Sequence, residues 1–272
     1  MQPFFIKSVS GNIFALYHPP VAQRDLRRNI IFVPPFAEEL NRSRHMINRQ
    51  ARRLAAAGYG VLIPDLYGTG DSEGAYGDAS IAIWRQDILA AVSWMKATSG
   101  HPITLWAMRS GALLAADLAG QHPDLADQLL LWSPAGNGKK FISQHMRIKL
   151  AAEITGKTSS SPLAMKDLWA ELDKGETLEI AGYDLPPGLA RGFRQLALDK
   201  VKLPRGLSVK WLDISLNNPA RMPAAAQKII DHWADQGVEI TAMAVHDIAF
   251  WTLQEPEWAD EYIAQTMKLM IE

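Results

Sequence analysis

Four short runs, Asn29–Val33, Gly60–Ile63, Ile103–Ala107 and Leu129–Trp132, are apolar almost without interruption, the pattern of strands covered on both faces. Between them, Asn41–Ala57, Ser80–Thr98 and Ser110–Gln121 carry apolar residues at three- and four-residue spacing. Each is long enough to cross from one parallel strand to the next. The alternation predicts right-handed crossovers and an α/β fold with a doubly wound, mostly parallel sheet. Ahead of it, Phe4–Val9 and Ile13–Tyr17 flank Ser10-Gly11-Asn12, which predicts an N-terminal hairpin.

From about Gly136 to Leu203 the alternation stops, broken by Thr158-Ser-Ser-Ser-Pro162 and by Pro186-Pro187. It resumes with Val209–Ile214 as strand, Pro223–Gln236 as helix, Glu239–Val245 as strand and Trp258–Ile271 as a closing amphipathic helix. This predicts a core of residues 1–135 and 204–272 with residues 136–203 inserted as a cap. Phe141, Met146, Leu150, Tyr183 and Leu185 of that insertion either line a site or pack the cap onto the sheet.

Composition narrows the classes. The chain has 272 residues, 48% hydrophobic and 21% charged, which suits a packed globular core rather than disorder. Its formal net charge of −1 gives no global pull toward nucleic acid or an anionic membrane. The arginines at 24, 27, 28, 42, 44, 49, 52 and 53 therefore read as solvated faces. The absence of cysteine removes disulfides, thiolate nucleophiles and Cys-ligated metal centres. His18, His45, His101, His122, His145 and His232 show no paired metal spacing, so no metal or cofactor is expected. No signal-peptide pattern stands at the N-terminus, and the longest apolar run, Ile30–Ala37, is far short of a membrane span. A cytoplasmic protein with no membrane insertion is expected.

In open α/β sheets the ligand site lies beyond the carboxyl ends of the strands. Gly68, Gly70 and Gly74 miss a dinucleotide fingerprint, and a tight turn in which Ser72 caps local backbone is the better reading. The stretch Ala107-Met-Arg109-Ser-Gly111 follows an apolar strand and opens a helix. It has the small–x–nucleophile–x–small form of a nucleophile elbow, with Arg109 at the nucleophile position. A guanidinium stays protonated and has no lone pair to offer a carbonyl. Ser110 is one residue late, and is either a displaced nucleophile or part of the helix's first turn. After Val209–Ile214 the acid position holds Asn217 and Asn218, with Asp213 inside the strand. After the last strand, His246 is a candidate base, while the register set by Phe250 puts Ala249 where the catalytic histidine would stand. Ser110, His246 and Asp213 are the catalytic candidates, with Asp247 an alternative partner for His246.

Arg109 at the start of a helix faces the positive end of the macrodipole, so an anion is expected beside it. Glu38 and Glu39, in the loop that also holds Phe36, could supply a carboxylate–guanidinium pair; otherwise the anion is a ligand, or the guanidinium is simply exposed at the surface. Arg109, Glu38, Glu39 and Phe36 form the candidate binding set, and the partner is a small-molecule or acyl substrate.

With these residues in hand, the sequence resembles the α/β-hydrolase superfamily, and more closely the exosortase A system-associated hydrolases of type 2. The likeness rests on Pro34-Pro-Phe-Ala-Glu-Glu-Leu-Asn-Arg-Ser-Arg44, Asp65-Leu-Tyr-Gly-Thr-Gly-Asp-Ser72, Leu105-Trp-Ala-Met-Arg-Ser-Gly-Ala-Leu-Leu-Ala115, Leu131-Trp-Ser-Pro134, Glu179-Ile-Ala-Gly-Tyr-Asp-Leu185 and Phe250-Trp251. The Arg-bearing elbow and the Glu179–Leu185 segment are the most specific of these. The resemblance implies an α/β-hydrolase fold with a helical cap and an ester or thioester hydrolase linked to exopolysaccharide production and surface-protein sorting. Arg109, Asn217 or Asn218, and Ala249 depart together from the superfamily triad. The rival expectation is a non-catalytic protein that binds an acyl or anionic intermediate of polysaccharide assembly.

Overall fold

The computed structural model describes residues 1–21, 26–156 and 164–271; Arg24 and the Thr158–Pro162 stretch lie outside them. Eight strands form one sheet in the order β1-β2-β4-β3-β5-β6-β9-β10. β1 (Gln2–Lys7) and β2 (Asn12–His18) are the antiparallel hairpin, and β2 joins β4 (Tyr59–Pro64) antiparallel. From β4 through β3 (Arg28–Val33), β5 (Ile103–Met108), β6 (Gln128–Trp132), β9 (Ser208–Ser215) and β10 (Glu239–His246) every pairing is parallel. β4 and β5 are buried at all six positions, which is why their sequences are apolar runs rather than alternating ones.

The two sides of the sheet hold separate cores. On one face α1 (Glu38–Ala56) and α8 (Asp260–Ile271) cover Phe32, Trp106 and Trp132, whose rings meet edge to face at 4.7 Å along the strands. On the other lie α2 (Ile81–Thr98), α3 (Gly111–Gln121) and α7 (Ala224–Asp235). This is the α/β-hydrolase fold.

Between β6 and β9 the chain is more regular than its sequence suggests. α4 (Gly138–Gly156), α5 (Met165–Lys174) and α6 (Pro187–Gln195) surround a hairpin of β7 (Leu178–Ile180) and β8 (Tyr183–Leu185). The hairpin turns on Ala181 and Gly182, both at positive φ, as a two-residue turn between twisted strands requires. Met146, Leu185 and Phe193 from this region are fully buried in the same core as α2 and α3. No helix of the described residues is long and apolar enough to cross a membrane.

The corner between β5 and α3 is where sequence constrains geometry most tightly. A Cβ on Gly111 would stand 2.4 Å from the Val33 carbonyl oxygen and 2.6 Å from that of Pro34, so only glycine lets the helix start this close to β3. Both clashes are with backbone, which cannot rotate away. Gly111→Ala is expected to destabilise the protein by about 2 kcal/mol, read from the urea midpoint; an unchanged midpoint would show that the corner has slack.

Candidate active site

Arg109 sits at the corner with φ 52°, left-handed backbone in a residue that carries a Cβ. Such a conformation costs of order 1–3 kcal/mol and persists where the surroundings over-determine it. Here they do: the Arg109 amide donates to the Trp132 carbonyl at 2.9 Å, and its carbonyl accepts from the Ala135 amide at 3.0 Å. The elbow is thus built, with a cation in the position of the attacking side chain.

The guanidinium is held on three sides. Nε donates to Glu39 Oε1 at 3.1 Å, Nη1 donates to the Ser133 carbonyl at 3.0 Å, and Cζ lies 4.9 Å from the ring centre of Trp251. Nη2 makes no hydrogen bond among the described residues. Of the two anions open to Arg109, a protein carboxylate and a ligand, the structure has the carboxylate. Glu38 and Glu39 open α1, where the exposed amides and the macrodipole favour negative charge. Burial pushes the Glu39 carboxyl above its ordinary range, an effect that Arg109 opposes and Glu38 reinforces.

Ser110 is fully buried, and its Oγ accepts the Phe36 amide at 2.9 Å. In this fold an amide from that loop serves the oxyanion hole; here the loop amide at Phe36 is taken by a side chain. His246 is exposed, and its Nδ1 meets the Ser215 carbonyl at 3.2 Å. Asp213 Oδ1 accepts its neighbour Ile214's amide at 3.0 Å and Oδ2 the Trp211 indole at 3.3 Å. Its carboxyl is raised by burial, against the Trp211 and Ser133 hydrogen bonds and the charge of Arg109. Asp247 accepts from the amides of Ile248 and Tyr262, tying its loop to the first turn of α8. No hydrogen bond joins Ser110, His246 and Asp213 to one another among the described residues, and Ala249 precedes the turn bearing Phe250 and Trp251.

Another histidine does reach the cluster. His145, on α4, shares a helix face with Phe141 and Ile148, and its Nδ1 lies 3.4 Å from Glu38 Oε1. Burial would lift the Glu38 carboxyl, but the hydrogen bond and charge of His145, with Arg42 behind, hold it below its ordinary range. The sequence reading sets His145 aside for want of metal spacing; its signal is the i, i+4, i+7 set Phe141, His145 and Ile148 on α4. Trp251 and Ser133 are likewise visible in sequence only as motif neighbours. Phe36, 1% exposed, packs edge-on to Phe141, His145 and Phe193 and joins α4 and α6 to the loop after β3.

Three cavities surround this cluster. One of about 150 Å³ is walled by Phe36, Glu38, Glu39, Arg109, Phe141 and His145. A second, of about 470 Å³, shares Arg109 and Phe141 and adds Lys140, Lys228 and Asp199. A third, of about 380 Å³, lies under the β7–β8 hairpin between Pro34, Arg44, Tyr76, Trp84 and Tyr183. Glu38 Oε2, Glu39 Oε2, His145 Nε2 and Tyr76 OH are buried without a hydrogen-bond partner among the described residues, and each such atom costs roughly 1–3 kcal/mol if nothing meets it. The arginines read as solvated faces are partly tied down, Arg44 to Asp65 at 3.0 Å and Arg49 to Asp260 at 2.6 Å.

The model of the serine aminopeptidase, S33, family matches residues 24–169. No curated protein matches the sequence. Among solved structures, Est1E from Butyrivibrio proteoclasticus with bound ferulic acid is similar at 15% identity and TM-score 0.63, over 98% of both chains. The mouse alpha/beta hydrolase domain-containing protein 10 is similar at 14% identity and TM-score 0.60, covering 100% of this chain and 97% of the other. The alpha/beta hydrolase GrgF from Penicillium sp. sh18 is similar at 11% identity and TM-score 0.63, over 99% and 97%.

The ion pair makes its own prediction. Arg109→Met strands the buried Glu39 carboxylate and is expected to cost about 3 kcal/mol at pH 7. A carboxyl raised in the folded state binds its proton more tightly there than when unfolded, so its penalty grows as pH rises through that window and shrinks as pH falls. The loss should therefore be smaller at pH 5 than at pH 7, and Arg109→Met with Glu39→Gln should recover most of it. Urea titrations at both pH values check this; equal losses at the two would mean Glu39 does not feel the missing cation.

Proposed function

We propose, on the premise that this chain belongs to the serine aminopeptidase S33 family of α/β hydrolases, that it acts on an ester or thioester bearing an anionic group and never forms an acyl-serine. One observation carries the reading: the elbow backbone is intact while its corner holds Arg109, bound to Glu39 and the Ser133 carbonyl. A protonated guanidinium cannot attack, and Ser110, the hydroxyl beside it, is buried against the Phe36 amide. The cavity of about 470 Å³ beside Arg109 has three cations, Arg109, Lys140 and Lys228, against Asp199, which suits a carboxylate or phosphate on the ligand.

The finer assignment is to the exosortase A system-associated hydrolases of type 2, acting in the cytoplasm on a small acyl compound of exopolysaccharide production. It rests on the Arg-bearing elbow and on Glu179–Leu185, the segment that forms the β7–β8 hairpin and walls the cavity of about 380 Å³. A second reading, binding without turnover, is favoured by the engaged Phe36 amide, which leaves the oxyanion hole short of one donor.

Both readings exclude a covalent serine intermediate. Incubation with a fluorophosphonate probe should leave the intact mass unchanged, with no difference between the wild type and Ser110→Ala. A stoichiometric adduct that disappears in Ser110→Ala would overturn the proposal, whereas hydrolysis of the anionic ester mono-p-nitrophenyl adipate that survives the probe separates turnover from binding alone.

A further inference from the structure

We infer that Lys140 and Lys228 bind the anionic end of the ligand, a carboxylate or phosphate, and so select the substrate; this rests on the reading above that the ligand bears such a group. The chamber of about 470 Å³ has two kinds of lining. Phe141, Ile229, Ala224 and Ala225 supply an apolar one, and Arg109, Lys140 and Lys228 supply cations against the carboxylate of Asp199. Such a chamber suits an amphipathic ligand, a short acyl chain that ends in an oxyanion. The three cations are not equivalent. Arg109 is already met by Glu39 at 3.1 Å, in a pair whose side chains are 22% and 15% exposed. Lys140 and Lys228 are exposed, and neither has a side-chain ion pair or hydrogen bond among the described residues. Asp199, in the turn Leu198–Lys200, pairs with neither.

Their places in the fold make an unpaired positive charge unfavourable. Lys140 stands in the first turn of α4 and Lys228 opens the second turn of α7, and neither helix has an acidic residue in its first turn. A cation near a helix N-terminus meets the positive end of the macrodipole. Both ammonium groups also share one chamber with Arg109, so each adds to the positive potential that the others feel. Glu39 offsets one of these charges, and Asp199 alone stands against the other two. An oxyanion entering the chamber relieves both lysines at once. Lysine suits that task, because an ammonium is a compact point charge that takes carboxylate or phosphate without the planar geometry a guanidinium prefers. The guanidinium, with Nε and Nη1 committed to Glu39 and Ser133, anchors the corner; the lysines choose the ligand.

Isothermal titration at fixed ionic strength with hexyl phosphate, hexanoate and neutral hexanol tests this without any turnover. Both anions are expected to bind more tightly than hexanol, and the tighter of the two identifies the head group as phosphate or carboxylate. Lys140→Met and Lys228→Met keep the aliphatic stem and remove the charge. Each should weaken binding of that anion about fivefold, and the double variant about twentyfold. In ligand-free protein each single variant should hold or raise the urea midpoint; a lowered midpoint would mark lysines that serve the fold and would overturn the role. In hydrolysis of mono-p-nitrophenyl adipate the double variant's loss should fall on KM rather than kcat. Wild-type anion affinity in the double variant would overturn the assignment while leaving the anionic reading in place. Anions that bind no better than hexanol would overturn both. Lysine-dependent anion binding with no turnover of the adipate ester would support the assignment and decide for binding alone.

Discussion

A guanidinium and a carboxylate, both largely buried at one corner of the sheet, set the terms for everything above it. Neither tolerates the interior alone, since a buried charge without its partner is among the largest single penalties a fold can carry. Together Arg109 and Glu39 fix the start of α3 relative to the start of α1. Those are the two helix N-termini that an α/β hydrolase brings together at its site. The positive φ of Arg109 follows from that pairing as much as from the turn. The corner must point a side chain off the strand ends, and here the side chain so pointed is anchored at the far end by Glu39, Ser133 and Trp251.

The surrounding polar groups are consistent with a corner that binds rather than attacks. Ser133 stands at φ 41° after β6 and connects outward: its carbonyl takes Arg109, and its hydroxyl meets the Tyr262 hydroxyl at 3.2 Å and accepts the Ile214 amide. Tyr262 donates onward to the Leu212 carbonyl at 2.9 Å. Asp213 is folded back onto its own strand and Asp247 onto α8. Groups that a serine hydrolase would aim at a reacting carbonyl here satisfy backbone and one another. A buried network in which each member is matched is rigid, and it fixes the Ser133 carbonyl that receives the guanidinium.

Much of this was legible before any coordinates. Parallel strands buried on both faces must be apolar runs, so β3, β4, β5 and β6 fall within a residue or so of their sequence bounds at each end. The elbow was legible because Gly111 answers a backbone clash and Ala107 lies fully buried. Less visible were features that depend on partners distant in sequence. α1 begins at Glu38 rather than Asn41 because carboxylates gain from a helix N-terminus, an effect that apolar periodicity does not register. The region from Gly136 to Leu203 reads as irregular since the β7 and β8 strands have three residues each and α4 is rich in polar positions. For the same reason His145 registered in the sequence only as a histidine without paired metal spacing. Its meaning comes from Glu38, more than a hundred positions earlier, and nothing local announces that contact.

The corner also explains why restoring the standard residue would not restore the standard chemistry. A serine at 109 would leave Glu39 buried without its cation, so the carboxyl would take up a proton or the start of α1 would shift. The Phe36 amide would still be held by Ser110, and Ala249 would still offer no imidazole. A nucleophile is useful only when a base can take its proton and a donor can meet the oxyanion, and both would have to change with it. The change at 109 is therefore not reversible alone, because a serine there would meet Glu39 without its cation and a loop amide already engaged. Any chemistry at this corner has to start from the cation that is there and from the carboxylates and imidazole gathered around it.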